Sequence, residues 1–430
     1  MTIALFSSTD GGDMLAEAVR TVIESLNDDP DRQITLDLMC FAFTDHSIAE
    51  ALIALLRRRP NISLRVIADW SQSAAKSPTA LRALQAAELP NAALRFKIDM
   101  PYATDGTSGR LIYSYAQAKG MLHHKTLFMR RAGVPALMLA GSFNWSARGR
   151  QAYENLILLD NRTEHTPVLQ GFGHEFETLW LDESLTAAPA RARQIFDALR
   201  TAAAQGVDLD DPHALAQVTG LPLAPARAGT PPPRRMVDGP CLVAFSGGHP
   251  LSAPETAGHS AANDRRAIEL LRSGGVRRPA PLTLNTLTLE AIRSVPDGAT
   301  LKVAMYALSN RVPEFQALID AARRDVRVEL LLDRRINAAG ALRLQDMAAQ
   351  TGLPITLRTS RRRMHQKYLC CPQTGMVLTG TANMTMEATL RHADHRILFR
   401  HNPELAAAFA RDFDTIWDRV TPVAEVSQAA

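Results

Sequence analysis

The sequence predicts an α/β protein built from two tandem copies of one unit. Three observations carry that expectation: one order of strands and helices occurs twice, each copy holds a His-x-Lys triplet, and each closes on a helix with the same aromatic stripe. Domains usually run roughly 100 to 150 residues, so the 430 residues could hold two or three unrelated ones, and the repeat makes them two copies of one.

The openings agree, TIALFSS from Thr2 and CLVAFSG from Cys241. From Ile34 to Phe43 the run ITLDLMCFAF is apolar enough for a buried strand, and Ser47 with Glu50 reads as a capping box that starts a helix. Ile48, Ala51, Leu52, Leu55 and Leu56 keep helical spacing, Arg57 to Pro60 end the pattern, and SLRVIAD from Ser63 to Asp69 is the next strand. Such a β-α-β unit favours parallel pairing. The second copy repeats it: LKVAMYAL from Leu301, a helix with Phe315, Leu318, Ile319 and Ala322 on one face, then VRVELLLD ending at Asp333. The closing helices match at Phe172, Phe176, Leu179 and Trp180 against Phe409, Phe413, Ile416 and Trp417.

The domain boundaries expected are 1–204 for the first half, 205–239 for a Pro/Ala-rich linker and 240–430 for the second half. Within the linker, LPLAPARAGTPPPRR carries prolines that oppose helix and strand. Residues 247–281 read as a loop excursion with an apolar helical patch near 267–271.

Composition excludes several classes. Hydrophobic residues at 46% and charged residues at 21% fit neither a disordered nor a fibrous chain. The net charge of +4 suits an anionic substrate without requiring one. Cys40, Cys241, Cys370 and Cys371 have no C-x-x-C spacing, which opposes a disulfide framework or a cysteine zinc site. No basic segment precedes an apolar run at Met1, and no stretch of about 18 apolar residues occurs. The expectation is a cytoplasmic protein with no transmembrane segment or signal peptide, with peripheral membrane contact and the oligomeric state left open.

The chemistry-bearing residues also come in pairs. His123 and Lys125 in MLHHKTLFM correspond to His365 and Lys367 in MHQKYLCC, and strand alternation would put each pair on one face. A Gly-Ser/Thr-x-Asn tetrad follows each, with Gly141, Ser142 and Asn144 in one and Gly380, Thr381 and Asn383 in the other. An acid comes next, Glu154 or Asp394. This is a kit for phosphoryl chemistry: lysine is a point charge for phosphate oxygens, amide and hydroxyl groups donate to developing negative charge, and a carboxylate can fix a histidine tautomer.

On these motifs the chain resembles the phospholipase D superfamily, whose signature is H-x-K followed by a Gly-Ser-x-x-Asn type motif, and the resemblance covers both copies. It implies two tandem α-β-α sandwich halves about a pseudo-twofold axis, with the active site at their interface and no metal or other cofactor. It also implies a phosphohistidine intermediate, with His123 as nucleophile and His365 as acid and base. Lys125, Lys367, Asn144 and Asn383 would hold phosphoryl oxygens with Ser142 and Thr381 in support, and Glu154 and Asp394 would each bond a catalytic histidine. One departure stands out: where the family has an aspartate five residues after the lysine, this chain has Arg130 and Pro372. The substrate expected is a phosphodiester, with phospholipid leading, a nucleic acid cleaved by an endonuclease as the alternative, and a phosphate-binding pseudoenzyme as a third reading. Ser146-Ala147-Arg148 and Thr385-Met386-Glu387 stand where synthases of the family carry D-x-R-S.

Other residues have plainer expectations. His124 points away from His123 and is packed or exposed, Cys370 and Cys371 are buried, and Trp145 is a core or cleft-wall aromatic. Arg361, Arg362 and Arg363 abut His365 and could meet an anionic substrate, whereas Arg57 to Arg59 suit a helix end. Asp69 and Asp333 cap turns. The stretch before His123 is longer than that before His365 and carries Tyr102, Tyr113 and Tyr115, which fits a lid or substrate-binding loop.

Overall fold

A computed structural model describes residues 2–28, 33–72, 79–98, 103–104, 111–112, 121–209, 211–221, 239–246, 282–390 and 392–420. In the first half the strands are β1 (Thr2–Phe6), β2 (Ile34–Cys40), β3 (Ile62–Asp69), β4 (Ala92–Lys97), β7 (Lys125–Arg131), β8 (Val134–Gly141), β9 (Asn155–Asp160) and β10 (Thr186–Ala187). They form one sheet in the order β1-β9-β8-β7-β2-β3-β4-β10, and β5 (Ala103–Thr104) pairs separately with β6 (Leu111–Ile112). The second half has β11 (Cys241–Phe245), β12 (Thr300–Met305), β13 (Arg327–Asp333), β14 (Ile355–Ser360), β15 (Lys367–Cys371), β16 (Met376–Gly380) and β17 (His395–Phe399), in the order β11-β17-β16-β15-β12-β13-β14.

The two sheets are built alike. β2, β3 and β4 run parallel, as do β12, β13 and β14. Each parallel part continues into an antiparallel meander, β7-β8-β9 or β15-β16-β17, and the opening strand pairs antiparallel with the last strand of its own meander. The helices His46–Arg58 and Pro313–Arg323 are the expected crossovers. The first starts earlier than the capping-box reading: the Asp45 carboxylate is the cap, accepting the Ser47 N–H at 3.1 Å and the Ser47 hydroxyl at 2.7 Å. Asp45 wins because it already has the extended backbone a cap needs and is held by Arg150.

Each sheet turns one face to its own helices and the other to a core shared by both halves. Burial on both faces explains why strands such as ITLDLMC are nearly continuous apolar runs. The closing helices, Thr166–Leu181 and Pro403–Trp417, each reach across to the other half's opening strand. Phe172 meets Phe245 edge to face at 5.0 Å, and Phe409 meets Phe6 at 4.8 Å. Phe172 is fully buried, so its truncation to alanine would cost about 3–5 kcal/mol.

The expected linker, 205–239, holds a helix, Pro212–Thr219, ahead of its proline-bearing stretch. Proline is tolerated at its first turn, Asp211 caps it, and Leu209, Leu215 and Leu221 join the first half's core. Residues 222–238, the excursion at 247–281, and Tyr102, Tyr113 and Tyr115 lie outside the described residues. Among the described residues no helix is long and apolar enough to cross a membrane.

Candidate active site

β7 and β15 begin at the two lysines, so His123 and His365 sit in the turns just before them rather than within the strands. Each lysine ammonium curls back to donate to the carbonyl of its own histidine, Lys125 to His123 and Lys367 to His365. All four side chains are buried.

The halves join at these turns by two reciprocal backbone contacts. His123 N–H donates to Ala393 C=O at 3.0 Å, and His365 N–H donates to Tyr153 C=O at 3.0 Å. Each contact sets the residue before an acid beside the other copy's histidine, so the acids are exchanged. His123 Nδ1 lies 2.7 Å from Asp394 Oδ1, and His365 Nδ1 lies 2.8 Å from Glu154 Oε1. In both histidines the nitrogen that meets the acid is Nδ1.

Several residues hold this arrangement, and sequence reasoning missed their part in it. Asp69 and Asp333 do cap turns, through the N–H groups of Ser71 and of Arg335 and Ile336. Their second oxygens accept the N–H of the residue before each histidine, Leu122 at 2.9 Å and Met364 at 3.0 Å. Ser7 and Ser246, at the ends of the opening strands, accept the N–H of Glu154 and Asp394 at 2.8 and 2.7 Å. The signal was present, since each residue occurs at the same place in both copies. Ser142 and Thr381 accept the N–H of Asn155 and His395, the residues after the acids, so their hydroxyls brace the site from behind. The tetrad glycines permit this close approach: a Cβ at Gly141 would lie 2.4 Å from Asn155 O, and one at Gly380 2.3 Å from His395 O.

Burial dominates the electrostatics. It pushes the His123 imidazolium down to about 3, with Lys125 adding to it, and it pulls the Lys125 ammonium down to about 8. His365 and Lys367 are lowered as well, by burial first. The acids diverge. Asp394 is held far below the usual carboxylate range by His123, His392 and Lys125, which outweigh its burial. Glu154 is raised to about 8 by burial, although Lys367, Lys125 and Arg363 pull the other way.

Asn144 is buried and Asn383 half-buried, and among the described residues the side-chain oxygen of neither finds a hydrogen-bond partner. Phe41 and Tyr306, in corresponding places after β2 and β12, stand edge-on to His123 and His365 with ring centroids 5.5 and 4.9 Å apart. The lysine of each pair lies over the same ring. The three arginines separate: Arg363 lies over Tyr306 and bears on both lysines, Arg362 donates across the halves to Gln151 and Ala152 carbonyls, and Arg361 is exposed. His124 is buried with Nδ1 2.9 Å from His395 Nδ1, and Trp145 belongs to the first core. All four cysteines are buried and unpaired.

Arg130 has a structural explanation. It pairs with Asp37 at 3.0 Å and Glu177 at 2.7 Å, in a network with Arg65 on the sheet face that carries Phe128, not Lys125. In the second half, Lys302, Glu329 and Asp414 occupy the places of Asp37, Arg65 and Glu177, and Lys302 bridges the two acids at 2.7 and 2.6 Å. The charges are rearranged between copies: two arginines balance two acids in the first, and one lysine serves both acids in the second.

Two like α/β halves that exchange acids across paired His-x-Lys turns define the class to which the sequence motifs pointed. The chain belongs to the phospholipase D superfamily, in the family described as "Cardiolipin synthase, PLD-like domain", which matches residues 32–180 and 296–417. It is similar to the mitochondrial cardiolipin hydrolase of Xenopus laevis, with 29% identity over 148 residues, 34% of this chain. That match spans 55% of the relative's length. Among solved structures it is similar to phosphatidylserine synthase of Haemophilus influenzae, with a TM-score of 0.59 and 12% identity over 97% of this chain and 87% of that one.

Proposed function

We propose that this protein is a phosphodiesterase working through a covalent phosphohistidine in one cleft shared by its two halves, with a phospholipid as substrate. The exchanged acid on each His-x-Lys histidine is the observation that carries the reading. With Asp394 ionised, His123 Nδ1 keeps its proton and Nε2 presents its lone pair to phosphorus. The P–O bond to the leaving group breaks as the N–P bond forms, and His365 Nε2 gives its proton to the departing oxygen. His365 then takes a proton from water or an alcohol, whose oxygen attacks phosphorus and releases His123. Lys125, Lys367 and Asn144 and Asn383 through their amide N–H groups would hold the phosphoryl oxygens, with Arg363 supplying further positive potential. The lipid assignment draws on the names of the family and of the Xenopus relative.

Turnover of bis(p-nitrophenyl) phosphate in EDTA tests the chemistry; a rate no higher than that of His123→Ala would overturn it and favour a phosphate-binding pseudoenzyme. Incubation with labelled phosphatidylcholine, cardiolipin, single-stranded DNA and duplex DNA tests the substrate. Release of a lipid product without nicking is expected, and nicking without lipid turnover would replace the lipid reading with a nuclease.

A further inference from the structure

The half-sites differ at one position that this reaction does not use. His392 stands two residues before Asp394, where the other copy has Ala152, and the carbonyls of both residues accept from the corresponding serines, Ser246 and Ser7. His392 is 5% exposed, yet among the described residues neither of its ring nitrogens finds a hydrogen-bond partner. Its Nδ1 lies 3.8 Å from Asp394 Oδ2, which also makes no hydrogen bond, and its ring centroid lies 5.9 Å from that of His123. Buried polar atoms are seldom left idle, so these three mark a place able to take a ligand.

We propose that His123, His392 and Asp394 form a binding site for a transition-metal cation of the zinc class, and that filling it shuts the reaction by engaging the nucleophile and its acid. The inhibitory half of this rests on the role given to His123 above; the binding half does not. One ligand atom from each residue can be taken so that all three lie within 4.8 Å of one another, and among the described residues this is the one such trio of His, Cys, Asp or Glu. Zinc bonds of about 2.0–2.2 Å in a tetrahedron put ligands roughly 3.4 Å apart, so side-chain rotations of about an ångström close the site. Two imidazoles and one carboxylate suit zinc, with a fourth position open, whereas magnesium and calcium want oxygen alone. Lys97 and Lys125 oppose a cation near His392, and Asp394 and Glu387 favour one, so the affinity must come from the ligand bonds themselves. The first copy cannot build the site, because Ala152 offers no ligand.

The test uses the full chain stripped of metal, titrated with ZnCl2 by calorimetry and with CoCl2 by visible absorption. One equivalent should bind, with affinity at least tenfold weaker in His392→Ala and His392→Gln but unchanged in His174→Ala, an exposed histidine elsewhere. Thermal melts establish that each variant is folded. One equivalent of zinc should suppress bis(p-nitrophenyl) phosphate turnover in the wild type far more than in the His392 variants. Equal binding by wild type and both His392 variants, or no binding, would overturn the site. Binding lost in the variants while turnover ignores zinc would overturn the inhibition alone. A protein that binds zinc through His392 but never turns over a phosphodiester would overturn the catalytic reading and leave the metal site standing.

Discussion

The two half-sites share a scaffold and differ in charge. In both, an aspartate ends a parallel strand and holds the residue before the histidine, a serine ends the opening strand and holds the acid, and an aromatic ring backs the histidine and its lysine. Asp394, however, lies between two imidazoles, those of His123 and His392, whereas Glu154 meets that of His365 alone among the described residues and has Ala152 where the second would be. A carboxylate with two such partners stays ionised in the interior; one with fewer is raised by burial to about 8. Repetition set the geometry, and the groups around each acid set its charge.

The sharpest way to break that comparison is to remove the histidines. His123→Ala and His365→Ala should each lower kcat by about 10³-fold or more. They should differ in what accumulates. With p-nitrophenolate as leaving group the first step needs little acid, so His365→Ala should build up phosphoprotein on His123, and rapid quench with mapping of the label checks it. Label on His365 in His123→Ala would reverse the roles.

Next come the acids. Asp394→Asn should cost about 100-fold in kcat because it removes a charge and the tautomer lock, while Glu154→Gln should cost under about tenfold because the amide imitates a protonated carboxyl. Equal losses would erase the asymmetry.

Stability gives the same contrast with opposite signs. Glu154 has its folded pKa raised to about 8 from 4.5, so the folded state holds a proton that the unfolded state releases, and stability falls as pH rises across that window. Glu154→Gln should therefore gain on the wild type between about pH 5 and pH 8. Asp394, lowered from 3.8, contributes stability that is present above that value and lost only on further acidification, so Asp394→Asn should be less stable throughout the neutral range. Thermal melts by circular dichroism at several pH values read both.

The legible and illegible parts of this molecule divide by range. Crossover helices, strands and the closing aromatic stripes follow local periodicity, and the structure has them where the pattern puts them, apart from the cap at Asp45, the helix at Pro212–Thr219 and the strands that begin at Lys125 and Lys367, after the histidines. The candidate histidines, lysines and acids could be named because each occurs twice. Which acid serves which histidine was not legible, because that pairing is made between copies by the bridges at Ala393 and Tyr153, and no spacing within a copy encodes it. Arg130 reads as a broken signature until Asp37 and Glu177 are seen to meet it. His392 was illegible for the opposite reason: it breaks the repeat, so no match between the copies marks it.

The smallest effect expected tests whether the scaffold transmits that difference. Ser246 serves Asp394, and through it His123; Ser7 serves Glu154, and through it His365. Each serine to alanine change removes the bond to the acid's buried N–H, worth about 1 kcal/mol, along with the bond donated to the carbonyl of Ala152 or His392, and about 1.4 kcal/mol corresponds to a tenfold change in rate. Ser246→Ala should then lower kcat by about fivefold with KM unchanged, because it loosens the acid whose charge the nucleophile needs. Ser7→Ala should lower it by about twofold, since a protonated Glu154 tolerates displacement better than an ionised Asp394. A purely structural role would give both variants the same loss, together with a fall in thermal stability that tracks it.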